Sequence, residues 1–378
     1  MNDWKKVKLS ELADITMGQS PKSDFYNLDG NGLPFLQGNR TFGDKYPIFD
    51  TWTTFVTKEA EAGDVIMSVR APVGDINITP LRICLGRGVC GLRHKEGAQE
   101  FLYYLLRANK ENLVNRENGT VFGSINKNDI SNLEVLVPSL EEQIEIGLTL
   151  KTIDDKIENN KKINHHLAAI SKNYLKIFYS SNSIKLGDIF ELKSGYAFKS
   201  KDWVDEGKPV IKIKDIDGIT IDITNLNYVK NKSQLSKASN FEVFGKEIVM
   251  ALTGATTGKI GVIPKNFKGY VNQRVGLFYA KTELSYAVLW SILQQQNIIT
   301  DLIKLSSGSA QANLSPFSVN SYDLNVTFKD LIELDKVLSP LYELFCFNLS
   351  EIQRLSELRD TLLPKLLSGE LSVNQAAK

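Results

Sequence analysis

The stretches GDVIMSVRAPVGDI (Gly63–Ile76) and GKEIVMALTGATTGKI (Gly245–Ile260) decide how this chain of 378 residues is read. The second holds Gly258-Lys259, which invites comparison with a nucleotide-binding phosphate loop. Such a loop has four residues between its glycines and a Ser or Thr after the lysine, whose hydroxyl holds magnesium. Here three residues separate Gly254 from Gly258, and Ile260 follows the lysine. The first stretch carries Asp75 where the second carries Lys259, so the two share no phosphate chemistry. Both read instead as an apolar strand, a turn supplied by Gly74 or Gly258, and a second apolar strand.

Outward from this pair the chain repeats itself. VKLSELADITMGQSPKS from Val7 aligns with IKLGDIFELKSGYAFKS from Ile184, and GTVFGSINKNDISNLEVLV from Gly119 with GSAQANLSPFSVNSYDLNV from Gly308. The period is far too long for a solenoid, so this is a duplicated domain. Each copy runs through short strands and glycine-rich turns to the hairpin. A helix follows (about 99–115 and 286–304), apolar at helical spacing, then a glycine-containing loop and a closing strand, LEVLVP or DLNVTF. The fold class is α+β.

A long helical segment follows each copy. In the second, Leu334, Leu338, Leu341, Phe345, Asn348, Ile352 and Leu355 step by four and three, a heptad seam. In the first, Ile146, Leu150, Ile153, Ile157, Asn160, Ile163, Leu167, Ile170, Tyr174 and Ile177 keep the same rhythm with one short step after Asn160. Pro364 should end or bend the second helix. About 38 residues at 1.5 Å each give a rod of roughly 55–60 Å. In an antiparallel pair the middles face each other, so Asn160 and Asn348 are expected close together, a polar pair fixing register. The alternative is that each caps a local irregularity or faces solvent. The expected segments are residues 1–138 and 181–328 as heads, and 139–180 and 329–378 as helical spacers, in a dumbbell of approximate twofold symmetry.

Composition is that of a soluble globular protein. No apolar run approaches the ~20 residues that span a bilayer, and the N-terminus lacks the apolar segment of a signal peptide. Cys84, Cys90 and Cys346 form no CxxC pair, which argues against a zinc site or disulfide framework and for a reducing cytoplasm. His165-His166 are adjacent on a helix and do not face one another, so no metal is expected there. The four segments carry net charges of −1, 0, +4 and −2 in chain order. Charge alone therefore does not point to nucleic acid.

These residues resemble the specificity (S) subunit of type I restriction–modification systems over nearly the whole chain. LRDTLLPKLLSGEL (Leu358–Leu371) looks like the family's closing motif. GQSPKSDFYNLDGNGLPFLQGN, SGYAFKSKDW, TGATTGKIG and SLEEQIEIGLTLKTIDDKIENNKKIN support it in order. The resemblance implies two target recognition domains, each reading half of a split, asymmetric sequence in double-stranded DNA. It also implies two antiparallel conserved helices that dock two methyltransferase (M) subunits. S-adenosylmethionine would belong to the M subunits, ATP and magnesium to restriction (R) subunits where present, and no cofactor or catalytic residue to this chain. A competing reading is a protein-interaction scaffold with two heads on a rod.

Base reading needs paired donors and acceptors: Arg and Lys for guanine, Asn and Gln for adenine. In head one these are Gln37, Asn39 and Arg40 in one loop, Arg70 in the hairpin turn and Arg87 in LGRGV, with Lys22 and Ser23 for phosphate. A hydrogen-bonded turn is the plain alternative for the loop, and a buried ion pair for Arg70. In head two Tyr196, Lys199 and Lys201 form a basic-aromatic loop, in which Phe198 is read as core. Lys212 and Lys214 are expected on one face of a strand, and Thr253, Thr256, Thr257 and Lys259 crown the hairpin. Gln273 and Arg274 sit where GRGV sits in head one, and Ser309 and Gln311 lie in the late glycine loop.

Overall fold

The computed structural model describes residues 4–116, 123–305 and 313–376. The chain divides into two compact units, Met1–Asp155 with Leu355–Lys378, and Lys156–Arg354. Each unit thus takes in one head, residues 1–138 or 181–328, together with part of both helical spacers, 139–180 and 329–378. Each head takes up part of both long helices, because those helices bury their apolar stripes against the head cores.

In unit one, Val65–Ser68 shows why. All four residues are buried, the mark of a strand covered on both faces. Because side chains alternate, Val65 and Met67 join the core under the helix Gln99–Ala108, while Ile66 joins a second cluster with Leu36, Ile83 and Leu85. The strand belongs to an antiparallel sheet ordered Ala13–Met17, Val89–His94, Val65–Ser68, Ile76–Ile78. The second cluster belongs to a sheet ordered Tyr26–Asn27, Trp52–Thr53, Leu33–Leu36, Ile83–Leu85, Glu59–Ala60, in which Leu33–Leu36 and Ile83–Leu85 run parallel. Lys5–Lys8 pairs with the closing strand Glu134–Val137.

Unit two repeats this order strand for strand. Phe190–Ser194, Val275–Ala280, Ile248–Ala251 and Ile260–Val262 form the antiparallel sheet. Trp203–Val204, Asn227–Val229, Lys208–Ile211, Gly269–Val271 and Glu242–Val243 form the mixed one, again with one parallel pair. Ile248 and Met250 face one core and Val249 and Ala251 the other. The hairpin turns match as well: Gly74 and Gly258 both have φ of 84° and donate to Ser68 O and Ala251 O. That left-handed backbone suits glycine. The strand–turn–strand reading holds in both copies.

Each single helix expected after the hairpin is two. Gln99–Ala108 and Lys110–Val114 break at Asn109, whose Nδ2 donates to Leu105 O at 2.9 Å and satisfies a terminal carbonyl. Tyr286–Leu293 and Gln296–Lys304 break at the extended Gln295, whose Nε2 donates to Lys172 O at 2.7 Å.

The long helices are Leu140–Lys176 and Phe328–Leu367. In unit two their halves pack antiparallel. Asn348 Nδ2 donates to Asn164 Oδ1 at 2.9 Å, and Asn160 Nδ2 donates to Glu351 Oε2 at 2.7 Å. Asn160 and Asn348 are buried, but each meets a partner about one turn from the other. The seam also departs from the sequence reading beyond Leu167. Ile170, Tyr174 and Ile177 are exposed, whereas Asn164, Ser171 and Leu175 are buried. The buried positions continue by fours and threes once Asn164 replaces Ile163, so the short step after Asn160 marked the wrong register. The C-terminal helix also runs through Pro364, and through Pro340, which sequence reasoning passed over. Each proline forfeits one backbone hydrogen bond. Buried neighbours hold the helix in place: Leu338 and Tyr342 around Pro340, Leu362 and Leu366 around Pro364.

Candidate nucleic-acid interface

In head one, six of the seven candidate residues line a single cleft of about 890 Å³: Lys22, Ser23, Gln37, Asn39, Arg40 and Arg87. Phe35 and Leu36, at the end of the strand Leu33–Leu36, also line it. Gly88 is glycine because Gln37 lies against it; a Cβ there would sit 2.4 Å from Gln37 O. This close approach displays Arg87, which is exposed. Ser20 ties the two loops, donating through Oγ to Gln37 Oε1 at 2.8 Å and accepting from Arg87 N at 3.0 Å. Arg40 pairs with Asp50 at 2.7 Å, and this guanidinium holds the Asp50 carboxyl below its usual range. Asn39 Nδ2 donates to Asp75 Oδ2 at 2.6 Å. Lys22 precedes a short 3₁₀ turn, Ser23–Phe25, and is exposed. Arg70 lies outside the cleft's lining. It too is exposed, so the buried ion pair is not what the structure shows.

In head two, backbone hydrogen bonds identify the equivalent positions. Lys199 precedes the 3₁₀ turn Ser200–Asp202, as Lys22 precedes its own. Tyr196 N donates to Val271 O as Gln19 N does to Leu85 O. Leu252 N donates to Arg274 O as Val69 N does to Gly88 O, so Arg274 stands in the place of Gly88 and Gln273 in that of Arg87. Leu252 N and Val69 N being equivalent, Thr253 corresponds to Arg70; these two form matching bridges to Asn313 and Ser124. Lys212 follows its strand as Gln37 does.

Lys212 and Lys214 do not share a strand face. The strand ends at Ile211, and Ile213–Asp215 is a 3₁₀ turn, because the buried Asp215 carboxylate accepts from Lys212 N at 2.8 Å. Lys212 is half-buried, its Nζ 3.8 Å from the Trp203 ring centre. Burial, then the neighbouring Lys214, lowers its pKa. Lys214 Nζ donates to Asp215 Oδ1 at 2.6 Å and Asn225 O at 2.7 Å.

Lys199, Lys201, Lys259, Gln273 and Arg274 are exposed, and Tyr196 is half-buried against Phe198. Phe198, only 6% exposed, is core. Thr256 lies in the 3₁₀ turn Gly254–Thr256, and Thr257 Oγ1 donates to Gly254 O at 2.7 Å. Thr253 Oγ1 is buried without a partner among the described residues. Ser309 and Gln311 lie outside the described residues. Sequence reasoning missed Ser20, Asp50, Asp75 and Trp203, which hold the candidates in place. An acid or aromatic far along the chain gives no local signal of such a role. His165 and His166 are exposed, and no group of three metal-ligating side chains occurs among the described residues.

The family described as "Type I restriction modification DNA specificity domain" matches residues 1–169 and 180–326. A relative from Methanocaldococcus jannaschii, named for the type I restriction enzyme MjaX specificity subunit, is 39% identical over 179 residues, 46% of this chain and 42% of that protein. The MjaIX specificity subunit of the same organism is 23% identical over 99% of this chain and 94% of its own length. Among solved structures, the S subunit of a type I restriction–modification system from M. genitalium superposes with a TM-score of 0.64 at 20% identity, covering 97% of this chain and 96% of that one. With two copies of the family's domain and the repeated fold to match, this chain belongs to the type I restriction–modification DNA specificity family.

Proposed function

We propose that this chain is the DNA-reading subunit of a type I restriction–modification complex, each head recognising one half of a split, asymmetric duplex target. One observation carries the reading: the heads present different side chains from the same backbone positions. Lys22 matches Lys199, but Gln37 is replaced by Lys212 and Arg87 by Gln273. A lysine common to both heads suits phosphate, which is the same everywhere. Exchanged amides and cations suit bases, which differ.

The long helices supply the docking surface for two M subunits. Ile144 and Leu148 in unit one, and Leu344 and Phe347 in unit two, are exposed apolar residues one helical turn apart. In this reading S-adenosylmethionine belongs to the M subunits, and ATP with magnesium to R subunits where present. This chain contributes recognition and assembly. Among the described residues no helix is long and apolar enough to cross a membrane.

The test is methylome mapping and gel-shift titration of the chain assembled with its M partner. The expected result is one split motif and an affinity that falls steeply with salt as phosphate contacts release counterions. Absence of any sequence preference would leave the protein-scaffold reading in its place.

A further inference from the structure

Asn39 lines the cleft of head one, but one side of its amide is already spoken for. Its Nδ2 lies 2.6 Å from Asp75 Oδ2. A carboxylate has no hydrogen to give, so the NH2 group must face Asp75. The carboxylate is itself fixed: Lys110 Nζ donates to its other oxygen at 2.7 Å, and Ser68 Oγ accepts from Asp75 N at 2.9 Å beside the Gly74 turn. Asp75 is two-thirds buried, and Asn39 also lines a second cleft of about 450 Å³ with Asp75 and Lys110.

We propose that Asp75 is a positioning residue that sets the Asn39 amide so that Oδ1 and one N–H remain as a fixed acceptor–donor pair for an adenine in the first half-site. Adenine shows a matching donor and acceptor, N6 and N7, in the major groove, and an amide turned the other way would present the wrong order. Head two lacks the device. Lys259 occupies the turn position of Asp75, and Lys214, three residues beyond its strand end as Asn39 is, bonds to Asp215 and Asn225. The effect is therefore confined to one half of the target. This inference rests on the DNA-reading function proposed above.

The test is methylome mapping and competition binding of the complex with M subunits, using wild type, Asp75→Asn, Asn39→Ala and the double variant. Asp75→Asn keeps the shape but lets either amide turn over. The expected result is a loss of discrimination of roughly five- to hundred-fold at one A·T pair of the first half-site. The same pair should relax in Asn39→Ala, with no further loss in the double variant and no change in the second half-site. Unaltered discrimination in Asp75→Asn, a uniform fall across all sequences, or loss at a pair different from that of Asn39→Ala would overturn it. A wild-type complex without any split motif would instead remove the underlying function. A melting temperature close to wild type in Asp75→Asn separates positioning from unfolding; a large drop with both half-sites relaxed assigns Asp75 to the fold and counts against the proposal.

Discussion

Asp154 and Arg359 meet at 2.9 Å in unit one, where Asp154 also accepts a hydrogen bond from the Tyr104 hydroxyl at 2.6 Å. One carboxylate thus joins the head to the ends of both long helices that belong to it. Asp154 is 7% exposed and the Arg359 side chain 16%. Burial raises the Tyr104 pKa first of all, and the adjoining carboxylate raises it further, so the hydroxyl stays a donor.

Replacing Asp154 with Ala leaves the buried Tyr104 hydroxyl without its acceptor and takes from Arg359 one of two carboxylates, the other being Asp360 at 2.8 Å. Leaving a buried polar group unsatisfied typically costs about 1–3 kcal/mol. Urea unfolding of Asp154→Ala should show a loss of that order, whereas Lys304→Ala, at an exposed pair, should cost under about 1 kcal/mol. Equal costs would mean that the network contributes no more than a surface pair.

Asn164 and Asn348 form the corresponding polar contact in unit two, both buried. Changing both to Leu should raise the melting temperature by a few degrees, since an apolar pair packs without desolvating amides. It should also permit neighbouring registers. Cysteine pairs placed along the two half-helices would report this: one cross-linking register in wild type, several in the double variant.

His94 gives a pH dependence. Its Nδ1 accepts from Glu96 N at 3.1 Å and Ala98 N at 3.2 Å, which leaves the hydrogen on Nε2, facing Gln143 Oε1 at 2.9 Å. Burial lowers the pKa from the ordinary 6.5. The unfolded chain therefore takes up the proton first, and stability is lost as pH falls from about 6.5 through the lower folded value. Above that window this group contributes no slope. Melting temperatures from pH 7.5 to 5 should fall more in wild type than in His94→Asn, whose Oδ1 can accept without titrating.

In the proposed reading Arg274 contacts a base and Lys199 a phosphate. Arg274→Ala should cost about 1–3 kcal/mol at one base position. Lys199→Ala should weaken all sequences alike and reduce the salt slope by about one. Binding titrations against a randomised second half-site at two salt concentrations distinguish them. A uniform loss in Arg274→Ala would reassign it to phosphate.

What the sequence by itself determined was the repeat, the hairpin, the two long helices and the chemical type of the candidate readers. These follow from local apolar periodicity and from glycines at turns, signals carried by neighbouring residues. Tertiary structure decided the rest. It broke each post-hairpin helix in two, carried the last helix through Pro340 and Pro364, and shifted the seam from Ile170 and Tyr174 to Ser171 and Leu175. It moved Lys214 off a strand and placed Asp75 against Asn39. The proline passages, the seam and the Asp75–Asn39 contact depend on surfaces that meet across the fold from positions tens to hundreds of residues apart. The Lys214 turn and the break at Asn109 rest instead on side-chain bonds to backbone three or four residues away. Apolar spacing encodes neither.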